Sequence, residues 1–488
     1  MRRISKRTVF LLILMGILVA GLLFFTARYF LHAREWVTFQ GSPHVYSGSN
    51  LSSGKVTDRS GVLLLDSTGE SRVYAEDETI RKATLHLLGD RYGYISAPIL
   101  TEYADKLVGF SIVNGLYGAK QASNTAVLSI SAQVQKVALE ALSGYHGTVG
   151  VYNYKTGEIL CAVTSPSYDP DNMPDIEGDQ TGAYDGVYLN RFFQSATVPG
   201  SIFKALTAAA AIETLGDLSG RTFTCNGTLD IEGDTLVCNG THGTQTLSQA
   251  FANSCNVAFG QLAMEVGAET MEEYAEKLGI TTSLSFDGLT TAAGSFDLTD
   301  AANFEIAWAG CGQYNDLINP CQYMTFMGVL ANGGEAALPY IMDRVEGGVF
   351  AGYEHGKKTT GRVLERATTD TIAQMMRNNV VNIYGAWQFP DLEVCAKSGT
   401  AEVGDGTTPN ATFAGFIRDT DYPLAFIVII EHGGAGSAAA APIAGKVLNA
   451  CVDVLSQEKK LKKILDKRHT FVYDIQADWK SRVSWRGG

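Results

Sequence analysis

The sequence has no Cys-x-x-Cys pair, and its eight histidines form no His-Glu-x-x-His stretch. Two common metal-ligand spacings are therefore missing, nothing points to zinc hydrolysis, and no metal or cofactor is expected. Positive charge is also scarce: 38 Lys and Arg face 51 Asp and Glu, a formal net charge of −13. With no nucleic-acid motif to offset that balance, a nucleic-acid partner is excluded, because phosphate binding needs clustered Lys and Arg. No repeat or long low-complexity segment is visible, and 488 residues exceed what one core usually organises, so two or more domains are expected.

The one long apolar run stands near the start. Residues 1–7, "MRRISKR", precede "TVFLLILMGILVAGLLFF" at 8–25, an uncharged stretch near the minimum that spans a bilayer as a helix. Arg2, Arg3, Lys6 and Arg7 place 1–7 in the cytoplasm and everything after Arg28 outside by the positive-inside rule. A cleaved signal peptide has a shorter apolar core ending in small residues, whereas this run continues into "FFTARYF", so a retained single-pass anchor is expected.

From 34 to 121 the chain is Gly-rich, with short apolar runs such as "GVLLLDSTG" between turn formers, as in a small irregular domain with some strands. A helix is expected at "SAQVQKVALEALSGY" and a hairpin around Lys155, Thr156 and Gly157. A helical, loop-rich middle from Asn190 to about Met376 leads to three strands, "LEVCAKSGTAEV", "ATFAGFIRD" and "PLAFIVIIEHG", and a helix at "SAAAAPIAGKVLNACVDVL". The early hairpin and the late strands predict an α+β fold with one mostly antiparallel, five-stranded sheet flanked by helices. All eight cysteines lie from Cys161 onward. Cys225 and Cys238 bracket an expected hairpin and are the best disulfide candidates, with buried free thiols as the alternative. The segment 456–488 is basic, with Lys459, Lys460, Lys462, Lys463, Lys467, Arg468, Lys480, Arg482 and Arg486, and reads as a solvated helix or a contact with anionic surfaces.

The chemistry begins at "ATVPGSIFKALTAAAAIE". Residues three apart share a helix face, so the Lys204 amine can reach the Ser201 hydroxyl. The apolar run after Lys204 makes a charged ammonium expensive there; a neutral amine can take the serine proton and make Ser201 a nucleophile. Pro199 and Gly200 fit a helix start, where free N–H groups can stabilise an oxyanion. Ser-x-x-Lys alone is weak evidence. It gains force from "NSCN", with Ser254 and Asn256 two apart, and "AKSGT", with Lys397, Ser398, Gly399 and Thr400 on a β-rich segment.

With these motifs in this order, the chain resembles a penicillin-binding protein of the class B-like, monofunctional D,D-transpeptidase type. "YLNRFFQSATVPGSIFKALTAAAAIE", "KTGEILCAVTSPSYDP", "HGTQTLSQAFANSCNVAFGQLA", "AKSGTAEV" with "ATFAGF", and "TDRSG" all resemble segments of that family. The resemblance implies a transpeptidase domain over 122–455 on a non-catalytic pedestal at 34–121; the tail 456–488 is not covered. It implies Ser201 as the acylated nucleophile, Lys204 as its base, Ser254 as a proton relay, Asn256 as a ligand for the substrate amide and for Lys204, and Lys397 as a positive charge. Ser398 and Thr400 would bind the substrate carboxylate, the backbone N–H groups of Ser201 and Thr400 would form the oxyanion hole, and Gly399 would let substrate backbone lie close to the strand. Cys255 reads as a spacer and His242 as a structural hydrogen-bonding residue.

The implied substrates are peptidoglycan stem peptides, with β-lactams as covalent mimics and a polytopic glycosyltransferase as membrane partner. Alternatives are a β-lactam receptor, a β-lactamase and a D,D-carboxypeptidase. No Glu stands between Thr281 and Ala302 to activate a deacylating water in the manner of a class A β-lactamase. Service in elongation, division or sporulation stays open, as does the oligomeric state.

Overall fold

The computed structural model describes residues 2–484 apart from 40, 44, 48–49, 70, 111–114, 116–123, 348–351 and 405, with side chains described within 5–465. The tail charges at Lys467, Arg468, Lys480, Arg482 and Arg486 therefore lie outside the described side chains, as do those of Arg2 and Arg3.

The five expected strands form one antiparallel sheet in the order Val394–Ala401, Asn410–Ile417, Leu424–Ile430, Gly147–Asn153, Ile159–Ser165. The first and last parts of the domain thus meet at the sheet's centre. Leu424–Ile430 is buried throughout, because both of its faces are covered. Ala425, Ile427 and Ile429 point to the core that contains Met324 and Phe326 of helix Pro320–Ala331. Phe426, Val428 and Ile430 point to the core that contains Val134 and Ala138 of helix Ala132–Ala141 and Val447 and Leu448 of the last helix. An uninterrupted apolar run is what a strand covered on both faces requires, and each fully buried large side chain in it contributes about 1.5–3 kcal/mol.

Local chemistry sets the helix starts. Ser131 accepts from the Val134 N–H, and Asn319 caps a helix whose first residue is Pro320, where no N–H is needed. Thr246 and Gln249 form a reciprocal capping box at the start of Leu247–Ala252.

A second, six-stranded sheet follows the order Tyr353–Glu354, Met342–Glu346, Thr125–Leu128, Lys55–Thr57, Leu63–Asp66, Val73–Tyr74. It therefore joins strands from 55–74 to strands from 342–354, far along the chain. Asp58 of "TDRSG" accepts from the Ser60 and Val62 N–H groups of its own turn and, through its other oxygen, from the Ala132 N–H at the start of helix Ala132–Ala141. Arg59 pairs with Glu458 at 2.8 Å and reaches Glu158 at 3.6 Å, so this short motif ties three regions together.

The apolar run at 8–25 lies inside a longer helix, Arg2–Val37, whose stretch Ser5–Val37 is long and apolar enough to cross a membrane and has none of its most apolar window buried. The last helix, Gly436–Ser484, passes the same test over Gly436–Leu465, but half of that window is buried against the central sheet, as befits a core helix.

Candidate active site

Ser201 lies in a 3-10 turn, Gly200–Phe203, that feeds directly into the helix Lys204–Leu215. A 3-10 turn eclipses residues three apart, which sets the Lys204 Nζ 2.7 Å from Ser201 Oγ. Three bonds hold the turn: the Gly200 N–H donates to the Gly312 carbonyl, Thr412 Oγ1 donates to the Pro199 carbonyl, and the Tyr323 hydroxyl donates to the Ile202 carbonyl. Gly200 has φ +60°, and a Cβ there would fall 2.6 Å from the Thr400 carbonyl oxygen, so only glycine lets the turn press against strand Val394–Ala401.

The second motif enters on a bend. Ser254 has a left-handed φ of +54°, Cys255 caps the helix Asn256–Val266 by accepting from the Ala258 N–H, and Asn256 is its first residue. Lys204 Nζ donates to Asn256 Oδ1 at 2.8 Å and to the Ser254 carbonyl at 3.2 Å, and lies 3.4 Å from Ser254 Oγ. The Asn256 amide donates its N–H to the Val237 carbonyl, so its oxygen faces the lysine.

The third motif closes the cluster: Lys397 Nζ is 3.1 Å from Ser254 Oγ and donates to the Ser398 carbonyl at 2.8 Å. Lys204 is fully buried and Lys397 is 1 % exposed. Among the described residues no carboxylate pairs with either of them. Burial lowers the proton affinity of Lys204, and burial followed by the Lys204 charge holds Lys397 well below the ordinary lysine value. Residues 201, 204, 254, 256 and 397, separated by nearly 200 positions, thus share one hydrogen-bonded group.

The residues expected to bind substrate, Ser398, Gly399 and Thr400, are placed less uniformly. Ser398 donates from both its N–H and its hydroxyl to the Tyr384 hydroxyl, at 2.9 and 3.0 Å, and Thr400 is exposed while its carbonyl accepts from Gln313 Nε2. Gly399 packs against the turn that carries Ser201. A Cβ there would meet Thr412 Oγ1 at 2.2 Å and the Pro199 carbonyl at 2.8 Å, so the bare Cα admits the serine-bearing turn.

The cysteine expectations change. All eight cysteines are unbridged, and Cys225 and Cys238 form no disulfide. Their hairpin does form, from Thr228–Ile231 and Asp234–Val237, but both thiols turn toward Cys255 and His242. Cys255 is a helix cap within this cluster rather than a spacer.

The Penicillin binding protein transpeptidase domain family matches residues 147–449, which contain every group named above. The chain belongs to the penicillin-binding protein transpeptidase family. Its relatives place it in class B of that family: the peptidoglycan D,D-transpeptidase PbpA of Mycolicibacterium smegmatis is 27% identical over 386 residues, 72% of this chain and 78% of that protein. Among solved structures, a D,D-transpeptidase domain from Eggerthella lenta is similar with a TM-score of 0.71 at 25% identity, over 82% of this chain and 98% of that one. Penicillin-binding protein A from M. tuberculosis, solved as a ceftriaxone acyl-enzyme complex, has the same fold with a TM-score of 0.71 at 24% identity, over 82% and 98% of the two chains.

Sequence reasoning missed the residues that position this family's motifs here. Tyr384, Thr412, Tyr323 and Gln313 act through one or two hydrogen bonds across the fold, and nothing in their local sequence marks them. The spacing Cys-x12-Cys-x3-His-x12-Cys from Cys225 to Cys255 is a usable signal, though longer than the Cys-x-x-Cys spacing that marks compact metal sites.

Proposed function

We propose that Ser201 is the acylated nucleophile of a peptidoglycan D,D-transpeptidase and Lys204 its general base. The supporting observation is the buried Lys204 amine: it gives N–H bonds to Asn256 Oδ1 and the Ser254 carbonyl, which leaves its lone pair for Ser201 at 2.7 Å. Lys204 takes the hydroxyl proton as Ser201 Oγ attacks the carbonyl carbon of the penultimate D-Ala. The backbone N–H groups of Ser201 and Thr400 hold the resulting oxyanion. The C–N bond then breaks, and the Lys204 proton passes through the Ser254 hydroxyl to the departing D-Ala amine. An amine of a neighbouring strand attacks the acyl-enzyme, loses its proton back along the same path, and restores Ser201. Lys397 Nζ, 3.1 Å from Ser254 Oγ, orients that hydroxyl and supplies positive charge when the neighbouring Lys204 is neutral, and Ser398 and Thr400 bind the terminal carboxylate. β-Lactams acylate Ser201 because they present the same amide and carboxylate.

Helix Arg2–Val37 is assigned as a single-pass anchor with its N-terminus inside, and the region 34–121 as the pedestal of a domain at 122–455. The lipid-exposed apolar surface of the helix, with the pedestal, is the side offered to a membrane-embedded glycosyltransferase; co-purification with and without the helix tests that pairing.

Intact-mass analysis of the full chain in detergent, followed over time after penicillin addition, tests the enzyme reading. A long-lived adduct on Ser201 and amide formation with a stem-peptide donor and an amine acceptor are expected. Rapid release of the adduct, or donor turnover to free acid alone, would refute transpeptidation.

A further inference from the structure

Two short hairpins and one helix start converge beside the Ser254–Asn256 segment. Cys225 ends the strand Thr222–Cys225, Cys238 follows Asp234–Val237, His242 precedes Gly243–Thr246, and Cys255 caps Asn256–Val266. Three sulfurs and an imidazole nitrogen from these positions all lie within 4.8 Å of one another. Cys238 Sγ is 3.8 Å from Cys255 Sγ and 3.7 Å from His242 Nδ1. A disulfide would bring two sulfurs to about 2.05 Å. A tetrahedral zinc with ligands at about 2.3 Å (sulfur) and 2.0–2.1 Å (nitrogen) instead sets neighbouring ligand atoms roughly 3.5–3.8 Å apart.

Two of the sulfurs accept backbone N–H groups, as thiolates do, while Cys225 Sγ also lies 3.5 Å from the Gly240 carbonyl and Cys238 Sγ 3.3 Å from Asn239 Oδ1, acceptors for the S–H protons that a metal would displace. The Asn256 N–H donates to Cys238 Sγ at 3.2 Å and the Ala258 N–H to Cys255 Sγ at 3.5 Å, both from the positive end of a helix. The His242 N–H donates to the Cys225 carbonyl, which fixes the two ligands across one hairpin. Cys225 and Cys255 are fully buried, Cys238 is 9 % exposed and His242 is half-buried, so the three sulfurs are shielded and the imidazole lies at the solvent side of the cluster.

We propose that Cys225, Cys238, His242 and Cys255 bind one zinc ion as a four-coordinate structural site. Three soft thiolates and an imidazole select zinc over hard cations, and a full ligand set leaves no position for a reacting water. The ion's task is positional. Cys255 stands between Ser254 and Asn256, so the bound metal pins the left-handed bend and the amide oxygen that faces Lys204. This second clause rests on the assignment of Lys204 as base; the metal site does not.

The test uses the full chain purified in detergent without chelators. Elemental analysis gives one zinc per chain, and cobalt(II) exchanged into the site shows sulfur-to-cobalt charge transfer and tetrahedral d–d bands that added zinc abolishes. Cys225→Ser and His242→Ala lose the zinc, while Cys451→Ser, a buried thiol in the last helix, keeps it. Zinc removal slows penicillin acylation by about 10–100-fold, and zinc restores it. A chain that purifies without zinc and takes up no cobalt overturns the site, as does an intact mass two hydrogens light from a Cys238–Cys255 bond. Because cobalt spectra are read on the unsubstituted chain, a misfolded variant cannot decide the outcome. Ser201→Ala separates the two readings: it retains zinc, and if it is still acylated the nucleophile assignment fails while the metal site stands.

Discussion

The Ser254 hydroxyl lies between two buried amines, 3.1 Å from Lys397 Nζ and 3.4 Å from Lys204 Nζ. Folding has gathered three polar groups that solvent would separate, and two of them would repel each other if both were charged. The site is built at the expense of stability.

Lys397→Met keeps most of the side-chain volume and removes that repulsion. It raises the unfolding free energy by about 1–3 kcal/mol and abolishes penicillin acylation. Thermal melts beside fluorescent-penicillin labelling check both halves; an unchanged or lower melting temperature would show that the amine is not under strain.

The same pair dictates how stability responds to pH. Both lysines hold protons less tightly in the fold than in the open chain, so between their lowered values and the ordinary 10.5 the unfolded chain binds more protons. Stability therefore rises with pH across that window, and the penalty is complete below it. Denaturant titrations at alkaline pH should give a positive slope that is reduced in Lys397→Met.

With Lys204 as the proposed base, acylation follows its neutral form. The rate of penicillin labelling falls as pH drops through the lowered value of Lys204, and Lys204→Arg loses about 10²–10⁴-fold because guanidinium does not deprotonate. A labelling rate that does not fall as the pH is lowered, or that survives in Lys204→Arg, would remove Lys204 from the role of base.

Ser254 carries a hydroxyl on a strained backbone, and two substitutions separate these properties. Ser254→Gly relieves the +54° torsion by about 1–2 kcal/mol, whereas Ser254→Ala does not, yet both remove the proposed proton path and should slow acylation. Equal stability of the two variants would argue that the bend costs nothing.

Gly399→Ala tests the packing of the serine-bearing turn. Its methyl group would meet Thr412 Oγ1 and the Pro199 carbonyl, so acylation falls at least about 10²-fold while the sheet persists. Normal labelling with unchanged circular dichroism would count against this role.

The central sheet was legible because its strands are written as hairpin signals and uninterrupted apolar runs, as "PLAFIVIIEHG" illustrates. Ser201, Lys204, Ser254, Asn256 and Lys397 were legible because each motif fixes local geometry: a 3-10 turn, a helix start and a strand. What escaped the sequence is what depends on contact between distant segments. Gly399 faces Pro199 only after the strand and turn have docked, and Tyr384 reaches Ser398 only across that strand. The four ligand atoms at Cys225, Cys238, His242 and Cys255 meet through hairpin closure, where one-dimensional spacing gives the order of residues but not which thiols turn inward.

The six-stranded sheet bears on where the polypeptide can be cut. Excising 34–121 would strip away Lys55–Thr57 and its neighbours and uncover the flank of Thr125–Leu128, whose free N–H and C=O groups would then invite pairing between molecules. A soluble version should instead begin just past Val37, where the first helix ends, with both layers kept whole.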